Sequence, residues 1–146
     1  MSQTFKTCSE EETIERGVEF ARQLQRGDVV ALTGDLGTGK TRFIQGICKG
    51  LGVQEHVASP TFTIVNQYDA HGIIVYHCDF YRVHSVADIR DVGFEEYVSS
   101  GGICLIEWAE KAHQLLPAQR YDVHLRLGND EQIREITIEK IVEVEV

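Results

Sequence analysis

The sequence contains little proline, no long hydrophobic run and few positive charges. Only 2 of its 146 residues are proline and 42% are hydrophobic, which is the composition of a globular chain and not of a disordered or fibrous one. No apolar stretch approaches the roughly 18 residues that a membrane span needs. The first residues, MSQTFKTCSEEE, lack the apolar segment of a secretory signal. We therefore expect a cytoplasmic protein that does not contact a membrane.

Positive charge is scarce enough to bear on the binding partners. The chain carries 14 Lys and Arg against 23 Asp and Glu, a formal net charge of −9. Because neutralisation of backbone phosphates by Lys and Arg supplies most nucleic-acid affinity, we expect no DNA binding and only weak RNA binding by the chain alone. The four cysteines are far apart and form no CxxC or Cys/His pair typical of zinc ligands. We expect reduced cysteines and no zinc site.

The hydrophobic segments predict one α/β domain over residues 1–146. Val29–Thr33 and Ile103–Ile106 are short, continuous apolar runs, which are typical of central strands covered on both faces. One helix is predicted from a Ser9 cap to about Gln25, with a buried face formed by Ile14, Val18, Ala21 and Leu24. The other predicted elements are an edge strand at 4–8, a helix at about 40–50, hairpin strands at 61–68 and 73–80, short helices within 85–97, a helical segment at 109–115, and hairpin strands at 121–127 and 132–146.

The segment GDLGTGKT, residues 34–41, fits the pattern GxxxxGK[ST] of a phosphate-binding loop. Glycines permit the positive φ angles that aim backbone N–H groups at phosphate oxygens, and the following helix adds the positive end of its dipole. Lys40 is predicted to neutralise the β- and γ-phosphates, and the Thr41 hydroxyl to ligate Mg²⁺. The predicted contacts from this loop to a nucleoside triphosphate are Asp35, Leu36, Gly37, Thr38, Gly39, Lys40 and Thr41.

Two acidic residues end predicted strands and are candidates for a catalytic centre. A phosphate-loop enzyme needs a carboxylate at the end of a neighbouring strand for the Mg²⁺ shell. Glu107 follows the apolar run at 103–106 and is predicted to hold Mg²⁺, the alternative being a solvated strand end. Asp79 closes the strand at 73–78 and is predicted either to orient the attacking water or to assist the metal, the alternative being a turn residue.

Three further features leave alternatives open. The segment Ser59-Pro60-Thr61 predicts either hydroxyls that sense the γ-phosphate or a plain turn before a strand. Trp108, the only tryptophan, lies either near the nucleotide or in the core. His77 and Asp79 share one face of a strand, but no third ligand is evident, so a metal pair is disfavoured.

Four segments, taken in order, resemble the bacterial TsaE (YjeE) family, the small P-loop ATPases of tRNA threonylcarbamoyladenosine biosynthesis. They are the phosphate loop at 34–41, SPTFT at 59–63, YHCDFYR at 76–82 and ICLIEW at 103–108. The resemblance extends over nearly the whole chain. The family commonly has His-Phe-Asp where this chain has His-Cys-Asp at 77–79, and on a strand Cys78 points away from its two neighbours.

The resemblance implies a P-loop NTPase-like, three-layer α/β fold whose mostly parallel central sheet is flanked by antiparallel edge strands. It implies weak Mg²⁺-dependent hydrolysis of ATP to ADP. It also implies association with the TsaD–TsaB heterodimer, which transfers a threonylcarbamoyl group to tRNA, so that this chain meets tRNA mainly through its partners.

The resemblance also assigns roles to single residues of this chain. Catalysis falls to Lys40, Asp79 and Glu107, and the metal to Thr41 and Glu107. Ser9 and Glu10 would approach the base or ribose, and Ser59 to Thr61 would form a switch-like segment. Thr61 and Trp108 complete the expected nucleotide contacts.

Two other functions remain open from the residues alone. A small-molecule kinase fits the phosphate loop and the chain length, with Arg82 or Arg90 in a closing lid, although no acceptor-binding segment is apparent. A nucleotide-gated binding module without meaningful hydrolysis predicts that Asp79→Asn retains function in a complex. The choice of ATP over GTP rests on the resemblance, because the residues show no base-specificity motif.

Overall fold

The structure, a computed structural model, describes residues 2–35, 37–60, 64–130 and 132–142. Within this part of the chain no helix is long and apolar enough to cross a membrane. The elements in chain order are β1 Ser2–Thr7, α1 Glu10–Ala21, β2 Val29–Thr33, α2 Lys40–Leu51, β3 Val65–Ala70, β4 Ile73–Asp79, α3 Val86–Asp91, α4 Phe94–Ser99, β5 Ile103–Glu107, a 3₁₀ segment Ala109–Leu115, β6 Arg120–Leu127 and β7 Arg134–Ile141.

All seven strands form one sheet in the order β1-β7-β6-β2-β5-β4-β3. The four central strands β6, β2, β5 and β4 run parallel to one another. The flanking strands pair antiparallel, with β7 on β6, β1 on β7 and β3 on β4. The predicted architecture is therefore confirmed: β2 and β5, the two continuous apolar runs, are buried at the centre of the sheet.

Helices cover both faces of the sheet and give the fold three layers. On one face α1 and α2 bury Phe20, Phe43 and Ile47 against strand residues that include Leu32 and Leu105. On the other face α3, α4 and the 3₁₀ segment form a second apolar cluster, whose members include Phe80, Ile89, Phe94, Ala31 and Ile106. Because the central strands are parallel, the ends of β2, β4 and β5 meet at one edge of the sheet, which is where such folds bind ligands.

The helix α1 differs from its prediction in length and in its buried face. It ends at Ala21 and not at Gln25, and its buried residues are Thr13, Gly17, Phe20 and Ala21. The predicted face residues Ile14, Val18 and Leu24 are only partly buried. The physical reason is a close helix pair: a Cβ on Gly17 would overlap the carbonyl oxygen of Phe43 in α2, so small residues line the contact.

Other boundaries differ less. The strand predicted from Thr61 begins at Val65, and residues 61–63 lie outside the described part. The last strand begins at Arg134 and not at Gln132, and residues 143–146 also lie outside it. The turn between β3 and β4 uses His71 and Gly72 at positive φ, as a tight hairpin requires.

The contact between α1 and α2 gives a test of the fold. A Cβ on Gly46 would overlap the carbonyl oxygen of Ile14, which belongs to the backbone and cannot move aside cheaply. In an open helix Gly→Ala adds up to about 1 kcal/mol of stability, whereas overpacking costs about 1–3 kcal/mol. We therefore expect Gly46→Ala to lower the free energy of unfolding in urea. Lys49→Ala, on the exposed side of the same helix, is the control and should change it by no more than about 0.5 kcal/mol. A stabilised Gly46→Ala protein would contradict the close packing.

Candidate functional site

The phosphate loop connects the end of β2 to the first turn of α2. Three of its glycines have positive φ, namely 140° at Gly34, 79° at Gly37 and 96° at Gly39. A side chain at Gly34 would also overlap the carbonyl oxygen of Leu125 in β6. Thr38, which is buried, donates its hydroxyl proton to the Asp35 carbonyl at 2.8 Å and closes the loop. Leu36 lies outside the described residues.

Lys40 is buried, and its ammonium group points into the loop. It donates hydrogen bonds to the carbonyl oxygens of Gly34 and of Asp35, the latter at 3.1 Å. Its Nζ also lies 4.0 Å from the centre of the Trp108 ring, a cation–π distance. Burial lowers the pKa of Lys40, and the nearby carboxylates, Glu107 foremost, oppose that shift. These bonds hold the ammonium group at a position where phosphate oxygens could replace the two carbonyl oxygens as acceptors.

The oxygen atoms of three side chains meet beside the loop. The Thr41 Oγ1 atom lies 3.0 Å from Glu107 Oε1 and 2.7 Å from Ser59 Oγ, and Ser59 Oγ lies 3.1 Å from Glu107 Oε2. The two hydroxyls supply only two protons for three contacts. The cluster therefore holds more lone pairs than protons, and hard oxygen donors of this kind fit Mg²⁺.

Glu107 remains ionised in this setting although it is only 3% exposed. Burial alone raises the pKa of Glu107, but the hydrogen bond and the charge of His77, with hydrogen bonds from Thr41 and Ser59, outweigh it, so that the net pKa is lowered. The His77 Nε2 atom lies 2.7 Å from Glu107 Oε2. A carboxylate that keeps its charge while buried is suited to a cation.

Asp79 ends β4 directly beside Glu107, its partner in the parallel ladder with β5. Its Oδ1 atom accepts a hydrogen bond from the Tyr81 backbone N–H at 2.9 Å. Burial, aided by the charge of Glu107, raises the pKa of Asp79. The two acids thus have pKa values shifted in opposite directions, a pattern common where one carboxylate accepts a proton and the other stays charged.

One cavity joins these side chains. It has a volume of about 150 Å³ and is lined by Gly37, Thr38, Lys40, Thr41, Ser59, Asp79, Tyr81, Glu107 and Trp108. Every strand-end residue predicted for the catalytic centre is therefore brought together with the phosphate loop. Thr61 lies outside the described residues.

Trp108 borders this cavity and also packs against the second core cluster, so both of its predicted locations apply in part. Its ring lies 4.9 Å from that of Tyr81. Its backbone is left-handed, with φ of 58°, which is uncommon for a residue that is not glycine. Backbone strain of this kind collects at functional sites, where the surrounding structure holds it.

Ser9 and Glu10 line a second cavity of about 330 Å³ beside the start of α2, together with Glu11, Thr13, Arg42, Gln132 and Arg134. Ser9 caps α1 by accepting a hydrogen bond from the Glu12 N–H at 3.1 Å. The Arg42 Nε atom lies 3.4 Å from a carboxylate oxygen of Glu10. Sequence reasoning missed Gln132 and Arg134, because only the pairing of β7 with β1 brings this turn to the N-terminal helix.

Comparison with known proteins identifies relatives across most of the chain. The family model described as threonylcarbamoyl adenosine biosynthesis protein TsaE matches residues 7–136. The tRNA threonylcarbamoyladenosine biosynthesis protein TsaE of Treponema pallidum is 42% identical over 131 residues, which is 89% of this chain and 95% of that protein. The Bacillus subtilis protein of the same name is 39% identical over 133 residues, 91% of this chain and 82% of that one. The crystal structure of Bacillus subtilis YdiB is similar with a TM-score of 0.83 and 34% identity, and the match covers 97% of this chain and 87% of that chain.

Proposed function

Because this chain belongs to the TsaE family of tRNA threonylcarbamoyladenosine biosynthesis, we propose that it is an Mg²⁺-dependent ATPase that assists the TsaD–TsaB transferase. One observation carries the proposal. Lys40, Thr41, Glu107 and Asp79 come from three elements of the chain and line a single cavity at the ends of the parallel strands.

The phosphates of ATP bind to the loop at 34–41. Its positive-φ glycines direct backbone N–H groups inward, and α2 begins there with the positive end of its dipole. Lys40 exchanges its bonds to the loop carbonyls for bonds to phosphate oxygens. This exchange restores a counter-charge to an ammonium group that burial disfavours, so phosphate binding is favourable at this position.

Thr41 and Glu107 would hold Mg²⁺, which would supply positive charge beside the phosphates. Ser59, which contacts both of these residues, would connect the metal site to the segment that follows α2. Asp79 orients the water that attacks the terminal phosphate, since its raised pKa suits a proton acceptor better than a metal ligand. The cavity beside Ser9 and Glu10 receives the ribose and base.

The family and the net charge support the proposed protein partner, the indirect contact with tRNA and the location. A net charge of −9 favours docking on protein over a direct grip on tRNA, so tRNA is contacted mainly through TsaD–TsaB. We place the protein in the cytoplasm, where its four cysteines stay free thiols.

Phosphate release measures the proposed activity directly. Purified chain with ATP and Mg²⁺ should release phosphate slowly, faster when TsaD–TsaB is added, and not at all when EDTA replaces Mg²⁺. GTP in place of ATP shows whether the second cavity selects the base. Phosphate that appears on an added metabolite and not as free phosphate would identify a kinase and contradict the proposal.

A further inference from the structure

His77 is completely buried and lies between the metal ligand Glu107 and the neighbouring edge strand. Its Nε2 atom lies 2.7 Å from Glu107 Oε2, and its Nδ1 atom lies 3.4 Å from the hydroxyl of Tyr68 in β3. Since an ionised carboxylate has no proton to give, Nε2 is the donor in the first contact. The sequence assigns His77 no role beyond a disfavoured metal pair.

Tyr68 is itself fixed by its surroundings. Its hydroxyl accepts from the Asn66 side-chain amide at 3.3 Å, and its single proton faces two acceptors, the carbonyl oxygen of Ala58 at 3.2 Å and Nδ1 of His77 at 3.4 Å. The same amide donates to the Ala58 carbonyl at 3.1 Å. Two side chains of β3 therefore hold the backbone next to Ser59, and one of them also contacts His77. The imidazole is braced from the side opposite Glu107.

The two oxygens of Glu107 face different partners because of this arrangement. Oε2 is bonded to His77, while Oε1 faces the Thr41 hydroxyl and the cation position. The last torsion of a glutamate side chain is broad and has no strong intrinsic preference. Without the imidazole, Ser59 at 3.1 Å is the remaining partner of Oε2. The carboxylate then loses the shortest of its three side-chain hydrogen bonds, the 2.7 Å contact with Nε2.

We propose that His77, braced by Tyr68, is a positioning residue that orients the Glu107 carboxylate for Mg²⁺. This inference rests on the proposed function. Hydrogen-bond partners of metal ligands typically change metal affinity about 10–100-fold when they are replaced. His77 lines neither cavity in which nucleotide is proposed to bind. Its replacement should therefore change the affinity for Mg²⁺ and not the affinity for nucleotide in the absence of Mg²⁺.

Two variants of His77 differ in whether a side-chain donor reaches Glu107. Gln places its amide nitrogen as many bonds from Cβ as the imidazole Nε2, so His77→Gln keeps a donor toward Glu107. Asn reaches only as far as Nδ1 and loses that donor. Tyr68→Phe removes the hydroxyl that braces the imidazole. Binding of a fluorescent ATP analogue is measured in EDTA and across an Mg²⁺ titration, and thermal unfolding confirms that each variant is folded.

We expect His77→Asn to need about 10–100-fold more Mg²⁺ for half-maximal effect, with nucleotide affinity in EDTA unchanged. His77→Gln should stay within about 3-fold of the unmodified chain, and Tyr68→Phe should fall between the two. An unchanged Mg²⁺ requirement in His77→Asn overturns the inference, as does equal weakening in EDTA and in Mg²⁺.

The same measurements distinguish a failure of the proposed function from a failure of the inference about His77. If the unmodified chain binds nucleotide without any dependence on Mg²⁺, the proposed function itself fails. If it does depend on Mg²⁺ and His77→Asn does not fold, Tyr68→Phe decides: a raised Mg²⁺ requirement supports the inference and an unchanged one overturns it.

Discussion

Replacing Lys40 by alanine should reduce ATP affinity about 10–100-fold and abolish phosphate release. Among the described residues that line the phosphate cavity, Lys40 is the sole lysine or arginine. It faces Glu107 and Asp79 across that cavity, so its loss leaves the phosphates opposite two carboxyl groups. A hydrogen bond to a charged group contributes about 1.5–3 kcal/mol, and each 1.4 kcal/mol is about a tenfold change in affinity. Titration calorimetry with ATP and Mg²⁺ measures the loss.

Lys49→Ala is the matched control for that experiment. Lys49 lies in the last turn of the same helix and is exposed, so its removal changes the net charge equally without touching the cavity. Its ATP affinity should remain within about 2-fold of the unmodified chain, as expected for exposed charges screened by salt. If both variants lost affinity equally, general charge and not the loop lysine would account for binding.

The phosphate site is predictable from the sequence because its parts are local. The motif at 34–41 fixes both a glycine turn and the start of a helix within eight consecutive residues. Glu107 and Asp79 are predictable for a related reason. Each ends an apolar strand, and parallel strands in one sheet bring their carboxyl ends to the same edge.

The rest of the site depends on contacts between distant segments. The second cavity needs Gln132 and Arg134 beside Glu10, and only the pairing of β1 with β7 brings the two ends of the chain together. The buried face of α1 was predicted from large apolar residues, whereas Gly17 and Gly46 set how closely the helices approach. Hydrophobic periodicity reports which face is inward and not how near the neighbouring backbone lies. The contacts of His77 with Glu107 and Tyr68 depend likewise on strand register, which a single strand does not reveal.

Asp79→Asn should bind ATP as the unmodified chain does but release phosphate about 100-fold or more slowly, since a positioned acid–base group contributes about 10²–10⁴ in rate. Asparagine keeps the oxygen that accepts from the Tyr81 N–H, so the local backbone is preserved. Phosphate release at saturating ATP and Mg²⁺ measures the change. Asp69→Asn removes the same charge from the end of β3, beside the hairpin turn, and retains its acceptor for the Gly72 N–H, so it should leave the rate unchanged.

Asp79→Asn should also be more stable than the unmodified chain when ATP and Mg²⁺ are absent. Burial, with the charge of Glu107, raises the pKa of Asp79 above its ordinary value of 3.8. A raised pKa means that the folded state disfavours the ionised form, so ionised Asp79 destabilises the fold at neutral pH. The gain from asparagine should be full above the raised folded pKa and should disappear as the pH falls towards 3.8. Melting temperatures across this range check the sign, and a gain that grows with acid would contradict it.

The stability of Asp79→Asn and its effect on threonylcarbamoyl transfer together test what the charge of Asp79 does. Stabilising substitutions are easy to acquire in evolution. A carboxylate that destabilises the free protein is therefore expected where its charge serves a reaction. If Asp79→Asn binds nucleotide, melts higher and no longer supports threonylcarbamoyl transfer by TsaD–TsaB, hydrolysis is required for the cycle. If transfer continues at the normal rate, ATP binding alone drives the partner and the chain is a nucleotide-gated binding module. The substitution of one carboxylate oxygen by an amide nitrogen therefore distinguishes an ATPase from a nucleotide-gated binding module.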